Sequence, residues 1–137
     1  MATLKISKIE GIGPSQAKKL QAAKVTSVNS LLKKGASRKG RQELASETGI
    51  SDSVILKWVN MADLFRVKGV GEEYSELLEK AGVDTVKELR NRNAANLHEK
   101  MKEVNSGKRP LVRALPGQKR VENWIKEAKK LSPIIKY

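Results

Sequence analysis

The sequence predicts an all-α protein of about eight helices, arranged as two pseudo-repeated halves that form one compact domain. Three observations lead to this fold class. No segment shows sustained period-two alternation of apolar and polar residues, and the best β-like run, residues 4–9, is short. Glycine, serine and threonine recur at the spacing of helix stops and caps. The sequence also resembles itself when its second half is aligned with its first.

The first half, residues 1–64, contains four predicted helices, at about 14–23, 27–34, 38–48 and 52–65. Pro14 suits the first turn of a helix because its φ is fixed near the helical value. Gly35 and Gly49 supply stops, and serine or threonine residues before each segment supply caps. The last of these helices runs directly into the second half, so we expect the two halves to share it. It should bury the apolar side chains of Val54, Leu56, Val59 and Leu64.

The second half, residues 65–137, contains predicted helices at about 72–81, 85–91, 94–104 and 118–131. Thr85 and Glu88 have the spacing of a capping box, and Asp84 is interpreted as a helix cap. Segment 105–117 combines glycine, two prolines and adjacent cations, so it is predicted to be a mobile loop. Each half ends in a tryptophan-bearing helix. Trp58 and Trp124 lie in apolar runs, which favours core positions over platforms for stacked bases.

The repeat is clearest when residues 9–32 are set over residues 67–90. Seven identities then fall at glycine or apolar positions: Gly11 and Gly69, Gly13 and Gly71, Leu20 and Leu78, Ala23 and Ala81, Val25 and Val83, Val28 and Val86, Leu31 and Leu89. Each half thus has a Gly-x-Gly turn before a helix. We expect Gly11 and Gly13 to adopt φ > 0. Such a turn points backbone N–H groups outward at a helix N-terminus, which favours an anion such as a phosphate.

The pattern at residues 9–20, apolar-x-Gly-apolar-Gly-x-x-x-Ala-x-x-Leu, resembles the helix-hairpin-helix family. The resemblance implies two tandem, SAM-like helix-hairpin-helix units. It also implies that main-chain N–H groups of the hairpin grip nucleic-acid phosphates without reading bases. A monovalent cation held by the loop carbonyls is the one cofactor that the resemblance allows. Fewer than ten residues precede Ile9, so the helix before the first hairpin should be short or missing.

The whole chain is also similar to a family of bacterial and archaeal proteins whose domain has no assigned function. The similarity rests on residues 9–20, 40–45, 56–64, 67–78, 81–86 and 124–125. It implies tandem helix-hairpin-helix units and supplies no established activity.

Charge is unevenly distributed along the chain. Lysine and arginine number 28 against 15 acidic residues, for a net charge of +13. The excess is +9 over residues 1–42 and +7 over residues 105–137. This balance favours polyanionic partners, with a merely solvated surface as the alternative. The absence of cysteine excludes disulfides, thiol catalysis and cysteine-ligated zinc.

The chain has no apolar run of signal-peptide or membrane-span length, so we expect no membrane association and a cytoplasmic location, on the nucleoid if the protein binds DNA. Its single histidine, His98, cannot build a metal cluster and is expected on a helix surface without a catalytic role.

The tripeptide Val83-Asp84-Thr85 superficially resembles the catalytic-aspartate region of helix-hairpin-helix DNA glycosylases. The chain is too small for the two helical lobes of such enzymes, so we expect no enzymatic activity.

Charge separates the two hairpins. Lys18 and Lys19 follow the first hairpin, whereas Glu72, Glu73, Glu76 and Glu79 follow the second and would repel phosphate. We therefore predict that the first hairpin and its basic flanks bind nucleic acid, through Gly11, Ile12, Gly13, Lys8, Lys18, Lys19, Lys33, Lys34, Arg38, Lys39 and Arg41. The last five of these residues are expected to form a flexible basic loop. The second hairpin is predicted to be structural or weakly binding, through Lys68, Gly69, Val70 and Gly71.

The sequence thus predicts a non-enzymatic module that binds duplex DNA, or alternatively RNA, without sequence specificity. The competing hypothesis is a protein-interaction or scaffolding module in which the hairpins only pack helices and the acidic face or basic ends dock a protein partner. Cations gathered around the first hairpin favour the former, and an exposed apolar patch favours the latter. No oligomeric state is predicted.

Overall fold

The computed structural model describes residues 5–9, 11–107 and 110–137. Within these residues the chain forms eight α-helices and no strand, which confirms the predicted all-α class. The helices are α1 Pro14–Ala22, α2 Val28–Gly35, α3 Arg38–Thr48, α4 Asp52–Leu64, α5 Glu72–Lys80, α6 Val86–Arg90, α7 Ala94–Val104 and α8 Gln118–Lys130. Only a short 3₁₀ helix, Ile6–Lys8, is described before the first hairpin. None of the described helices has the length and apolar character needed to cross a membrane.

Side-chain caps begin α2, α3, α6 and α7. Helices α1, α5 and α8 begin instead at glycine N-caps without a side-chain hydrogen bond, so the prediction of a serine or threonine cap is wrong for α1. Ser27 and Ser30 form a reciprocal capping box at the start of α2. Thr85 accepts a hydrogen bond from the Glu88 amide at 3.1 Å and so caps α6. In a full capping box the Glu88 carboxylate would also accept from the Thr85 amide. It accepts a hydrogen bond from Arg92 at 3.1 Å instead, so only half of the predicted box is described. Because Thr85 is the N-cap, the prediction that Asp84 caps this helix is wrong.

The chain divides into two compact units by its internal contacts. Unit 1 comprises Met1–Asp63 and Ile134–Tyr137, and unit 2 comprises Leu64–Pro133. Helix α4 belongs to unit 1 except for its last residue, Leu64. The expectation of one domain with a shared helix stays a prediction.

In unit 1, α3 packs against α1 and α2, and the 3₁₀ helix contacts both α1 and α2. The side chains buried in this unit include Ile6, Ile9, Leu20, Leu31, Leu44, Ile55 and Trp58. The burial of Trp58 confirms its predicted core position. Val59 is buried as predicted, but Val54 is 38% exposed, so the expectation that α4 buries it is wrong. It lies in the first turn of α4, where residues 52–54 are all exposed.

The predicted flexible basic loop at residues 33–41 is instead a tight corner between α2 and α3. Only Ala36 and Ser37 separate the two helices. A Cβ added to Gly35 would collide with the Val59 side chain, and one added to Gly40 would collide with the Lys34 carbonyl. These glycines permit close approach of neighbouring groups, and the prediction of a flexible loop is wrong.

In unit 2, α8 packs against α6 and α7, and α5 packs against α7. Trp124 is 2% exposed within the core of this unit, as predicted. Asn105 ties the end of α7 to the following segment, because its side chain donates to the Val112 carbonyl at 3.2 Å and accepts from the Val112 amide at 3.1 Å. Residues 108 and 109 of the predicted mobile loop lie outside the described residues.

Candidate nucleic-acid interface

The first hairpin turns at Gly11, which has φ of +94°. A Cβ at this position would lie 3.2 Å from the Trp58 indole nitrogen, so both the backbone conformation and the buried tryptophan favour glycine. The Ile12 amide donates to the Ile9 carbonyl at 3.2 Å, and the Ile12 side chain is buried. Ile12 therefore anchors the turn, and only its backbone could meet a ligand.

Gly13 differs from the prediction. It is the N-cap of α1 with φ of −84° and ψ of −178°, an extended conformation that any residue adopts, so the prediction of positive φ is wrong here. Apart from Gly13 itself and its two chain neighbours, no atom of the described residues lies within 4 Å of the place where its Cβ would be. Neither backbone strain nor packing within the described chain requires glycine at this exposed position. The space beside Gly13 is open to an approaching group.

The start of α1 presents backbone donors in a helical turn that contains no acidic residue. Pro14 has no N–H, and the Ala17 amide donates to the Gly13 carbonyl at 2.9 Å. In the part of the chain that the structure describes, no hydrogen bond uses the amides of Ser15 and Gln16. The first turn of α1 contains no acidic residue. Two amide donors and the positive end of the helix dipole thus lie next to the open Gly13.

Three of the predicted cations flank this turn. Lys8, Lys18 and Lys19 are all exposed. Lys8 ends the 3₁₀ helix, and Lys19 lies in the last turn of α1. At a helical rise of about 1.5 Å per residue, Lys18 is about 6 Å along the axis from Pro14, a distance that a lysine side chain can span.

The corner between α2 and α3 carries a second group of predicted cations. Lys33, Lys34 and Lys39 line an open cleft of about 480 Å³, together with Ser30, Ser37, Gly40 and Glu43. Lys34 donates to the Glu43 carboxylate at 2.7 Å, and this hydrogen bond raises the pKa of Lys34 and lowers that of Glu43. Lys33, Arg38 and Lys39 are exposed. Lys34 is already paired, which leaves three exposed cations at this corner.

Arg41 does not lie on this basic surface. It is 5% exposed, and its guanidinium donates to the Gly35 carbonyl at 2.8 Å and to the Lys136 carbonyl at 2.7 Å. Its charge is engaged inside unit 1. The placement of Arg41 in an exposed basic loop is wrong, and the reason is that Gly35 and Gly40 close the corner around it.

The second hairpin has the turn of the first and the opposite charge. Gly69 has φ of +92°, and a Cβ there would lie 3.1 Å from the Trp124 indole nitrogen. Gly71 is an N-cap in an extended conformation with open space around it. Lys68 precedes the turn and is exposed, and Val70 is buried. The first turn of α5, however, carries Glu72 and Glu73, which would oppose a phosphate.

A search against family models matches residues 10–131 to a domain of unknown function, DUF4332. The chain belongs to this family. The comparisons with curated proteins and with solved structures find no match. The DUF4332 match covers both hairpins and assigns an activity to neither.

A stack of side chains beside the second hairpin of the DUF4332 chain was not predicted from the sequence. The Arg120 guanidinium lies 5.0 Å from the Tyr74 ring centroid and 6.0 Å from that of Trp124, and it donates to the Tyr74 hydroxyl at 3.2 Å. The two rings are 5.2 Å apart. These residues come from α5 and α8, and no local pattern in the sequence announces the pairing. In the first hairpin the position equivalent to Tyr74 is Gln16, whose Oε1 is buried without a partner among the described residues.

Asp84, the aspartate considered for catalysis, lies beside Glu79, Glu88 and Arg92. The residue as a whole is exposed, yet the protein around its carboxyl raises the pKa of that carboxyl, chiefly by desolvation.

No group of histidine, cysteine, aspartate or glutamate side chains that could hold a metal ion is found in the described part of the chain. His98 is half-buried, and its Nε2 lies 2.9 Å from the Pro116 carbonyl oxygen, a contact that fixes the segment before α8.

Proposed function

We propose that this DUF4332 protein is a non-enzymatic module that binds nucleic acid, chiefly duplex DNA, through backbone phosphates at the first hairpin. The observation that carries the proposal is the start of α1, where an open Gly13 adjoins two amides that no described hydrogen bond uses and a first helical turn without acidic residues. A phosphate oxygen accepts hydrogen bonds from such amides without reading base identity. RNA, whose backbone offers the same phosphates, is the alternative ligand. The protein would act in the cytoplasm, on the nucleoid.

We further propose that the two turns belong to two helix-hairpin-helix units related by a pseudo-repeat. Matching hydrogen bonds at equivalent positions of the two turns support this. The amides of Ile12 and Val70 donate to the carbonyls of Ile9 and Val67 at 3.2 and 3.0 Å. Those of Ala17 and Ser75 donate to Gly13 and Gly71, both at 2.9 Å, and those of Val25 and Val83 donate to Leu20 and Leu78, both at 2.8 Å.

In this proposal, exposed cations supply the long-range attraction. Lys8, Lys18 and Lys19 flank the hairpin, and Lys33, Arg38 and Lys39 extend the basic surface at the α2–α3 corner. Sequence-independent binding of this kind has Kd values of about 10⁻⁴ to 10⁻⁶ M at physiological salt and weakens steeply as salt rises. Arg41 has no part in it because its guanidinium is engaged internally.

A single methyl group tests the hairpin. Gly13→Ala adds a Cβ where the protein leaves open space, so the fold should tolerate it with a loss of about 1 kcal/mol or less from the changed N-cap. The methyl would obstruct a phosphate at the amides of Ser15 and Gln16. Loss of one or two charge-assisted hydrogen bonds predicts affinity at least about 10-fold lower. Fluorescence anisotropy of a labelled duplex at low salt measures it.

Gly71→Ala is the matched control. It places the same methyl on a similarly extended backbone at the hairpin whose first turn holds Glu72 and Glu73. We expect it to leave DNA affinity unchanged. Equal affinity of Gly13→Ala and wild type, with both folded by circular dichroism, would remove the first hairpin from the binding site.

The salt dependence tests the cations separately. Replacing Lys18 and Lys19 by glutamine should reduce the slope of log K against log salt by about 0.9 for each phosphate that is no longer neutralised, equally for duplexes of different sequence. Lys80→Gln with Lys87→Gln removes the same charge from exposed positions of unit 2 and should leave most of the slope. A wild-type affinity that does not respond to salt is the result that contradicts phosphate binding.

The competing hypothesis is a protein-interaction module, and the second hairpin favours it. Glu72 and Glu73 give α5 an acidic start, and the adjacent Arg120 and Tyr74, which lie against the buried Trp124, form a surface that a protein partner could cover. If wild-type protein fails to bind DNA and RNA at low salt, this second hypothesis replaces the first.

A further inference from the structure

The segment Ile134–Tyr137 is docked on unit 1 as an extended peptide. It follows α8 in the sequence, contains no helix, and belongs to unit 1 by its contacts. The main-chain groups of one residue are both used: the Lys136 amide donates to the Ala36 carbonyl at 2.7 Å, and the Lys136 carbonyl accepts from Arg41 at 2.7 Å. Paired use of an amide and a carbonyl is how proteins bind an extended peptide backbone.

Arg41 is the centre of this docking site. Its guanidinium is nearly buried, with one bond to the Gly35 carbonyl in the last turn of α2 and one to the docked segment. The negative end of the α2 dipole favours a cation there. No ion pair of Arg41 occurs among the described residues, so carbonyl oxygens alone satisfy it. Without the segment, a buried charge would lose one of its two acceptors, which is a costly state.

The docked segment also makes side-chain contacts. The Tyr137 hydroxyl donates to Asn60 Oδ1 at 3.0 Å, and Asn60 is a polar residue of α4 that is 9% exposed. The Tyr137 ring centroid lies 6.0 Å from the Arg41 guanidinium carbon, within the range of cation–π attraction. Beside the ring an open cleft of about 280 Å³ is lined by Arg38, Arg41, Asp52, Ser53 and Leu56. Unit 1 thus offers backbone recognition and one side-chain hydrogen bond to the tyrosine hydroxyl, while Tyr137 as a whole stays 64% exposed.

We propose that unit 1 carries a receptor site for an extended peptide with the chemistry of Ile134–Tyr137, a lysine followed by a tyrosine, and that the chain's own segment is its resident occupant. Arg41 and Ala36 hold the peptide backbone, and Asn60 selects the tyrosine. A segment supplied by a second chain with this chemistry can replace the resident one. This site is independent of the proposed nucleic-acid interface, because its central cation is the one that the interface does not use.

The proposal is tested with full-length protein that is cleaved after it has folded. A protease recognition sequence is inserted between Pro133 and Ile134, and the folded protein is cleaved and dialysed. A fluorescent peptide with the sequence of residues 131–137 is then titrated in by anisotropy. The cut protein should bind it saturably. The uncut protein should bind at least about 10-fold more weakly, because the tethered segment competes at an effective concentration on the order of millimolar.

Two variants examine the contacts, one on each side. The peptide carrying Tyr137→Ala should bind the cut protein about 10-fold more weakly, since it loses both the hydroxyl bond and the ring contact. Arg41→Gln in the protein should weaken the wild-type peptide by about 10-fold or more. Arg113→Gln, at an exposed arginine of unit 2 that makes no described hydrogen bond to the segment, is the matched control and should change affinity less than about 2-fold.

Three results would overturn the proposal: a cut and folded protein that does not bind the peptide, equal affinity for the Tyr137→Ala peptide, or equal binding by cut and uncut protein. If cleavage lowers the helical circular dichroism signal, the added peptide must restore it, and failure to do so also rejects the site. If Arg41→Gln does not fold, the peptide variant alone decides. The titration contains no nucleic acid, so its outcome is separate from that of the DNA experiments.

Discussion

The two glycine turns, one in each unit, share a backbone and differ in nearly everything that a ligand would meet. Both turn at a glycine with φ near +90° that faces the indole nitrogen of a buried tryptophan. Beyond the turn, α1 begins with Pro14, Ser15 and Gln16, and α5 begins with Glu72, Glu73 and Tyr74. The backbone is therefore set by glycine and buried apolar residues, while the exposed positions vary independently.

This difference separates structural from functional glycines. Gly11 and Gly69 are required by positive φ and by the nearby tryptophan in either hairpin. Gly13 and Gly71 have ordinary φ and open surroundings, so packing within the described chain does not require them. The second glycine of each turn is the position at which the hairpins should differ in function.

The largest expected effect comes from removing the tryptophan behind each turn. Trp58→Ala and Trp124→Ala each delete a buried side chain, which costs about 3–5 kcal/mol of the free energy of unfolding. Trp124 also contacts Tyr74 and Arg120, so its loss should cost about 0.5–1.5 kcal/mol more. Urea unfolding followed by circular dichroism measures both losses. Losses below about 1 kcal/mol would mean that the tryptophans do not hold the turns.

An intermediate effect is expected at the turning glycines. Gly11→Ala and Gly69→Ala place a Cβ at positive φ and close to an indole nitrogen, which should cost about 1–3 kcal/mol in each unit. The same substitution at Gly13 or Gly71 should cost about 1 kcal/mol or less. Thermal unfolding of the four single variants compares them. Equal losses at Gly11 and Gly13 would contradict the distinction between the two kinds of glycine.

The sequence predicted the helices well because their signals are local. Ser27, Thr85 and Pro14 mark helix starts by their own side chains, and the bounds of all eight helices agree with the prediction to within about two residues. The burial of Trp58 and Trp124 followed from the apolar runs that contain them. Val54 failed because it lies in the exposed first turn of α4, where residues 52–54 are all exposed, whereas residues 58–64 are all buried, and apolar character alone does not show how far along a helix the burial extends.

The site was harder to predict because its cations depend on contacts distant in sequence. Arg41 looked like a member of a basic loop, but Lys136, 95 residues away, accepts one of its hydrogen bonds. Glycines at positions 35 and 40 suggested flexibility and proved to be places of close approach. Arg120 and Tyr74, 46 residues apart, gave no sign of their stacking. In each case the type of residue could be read from the sequence, but the group that it contacts could not.

A smaller effect is expected where the first hairpin departs from the second. Lys24 has φ of +66°, whereas the equivalent residue in unit 2 is Gly82 with φ of +94°. A side chain in this left-handed region costs about 1–2 kcal/mol, and the greater freedom of glycine in the unfolded chain offsets part of the gain from removing it. Lys24→Gly should therefore raise the free energy of unfolding by about 0.5–1 kcal/mol. Gly82→Ala, the reciprocal change, should lower it by about 1 kcal/mol. Both shifts are measurable by urea unfolding, and destabilisation by Lys24→Gly would show that the lysine side chain itself stabilises the turn.

The smallest effect concerns two residues at equivalent positions of the units. Thr26 directly precedes Ser27, the N-cap of α2, and Asp84 directly precedes Thr85, the N-cap of α6. Desolvation raises the pKa of Asp84 above its ordinary value of 3.8, so the folded state binds the proton more tightly than the unfolded state does. The protonated carboxyl therefore favours folding below that ordinary pKa, and this contribution is lost as the pH rises through the folded-state value. Asp84→Asn should slightly raise the melting temperature at pH 7 and leave it unchanged near pH 3, whereas Thr26→Asn should give a shift independent of pH. A constant difference between Asp84→Asn and wild type from pH 3 to pH 7 would assign the effect to the hydrogen bonds of the side chain and not to its charge.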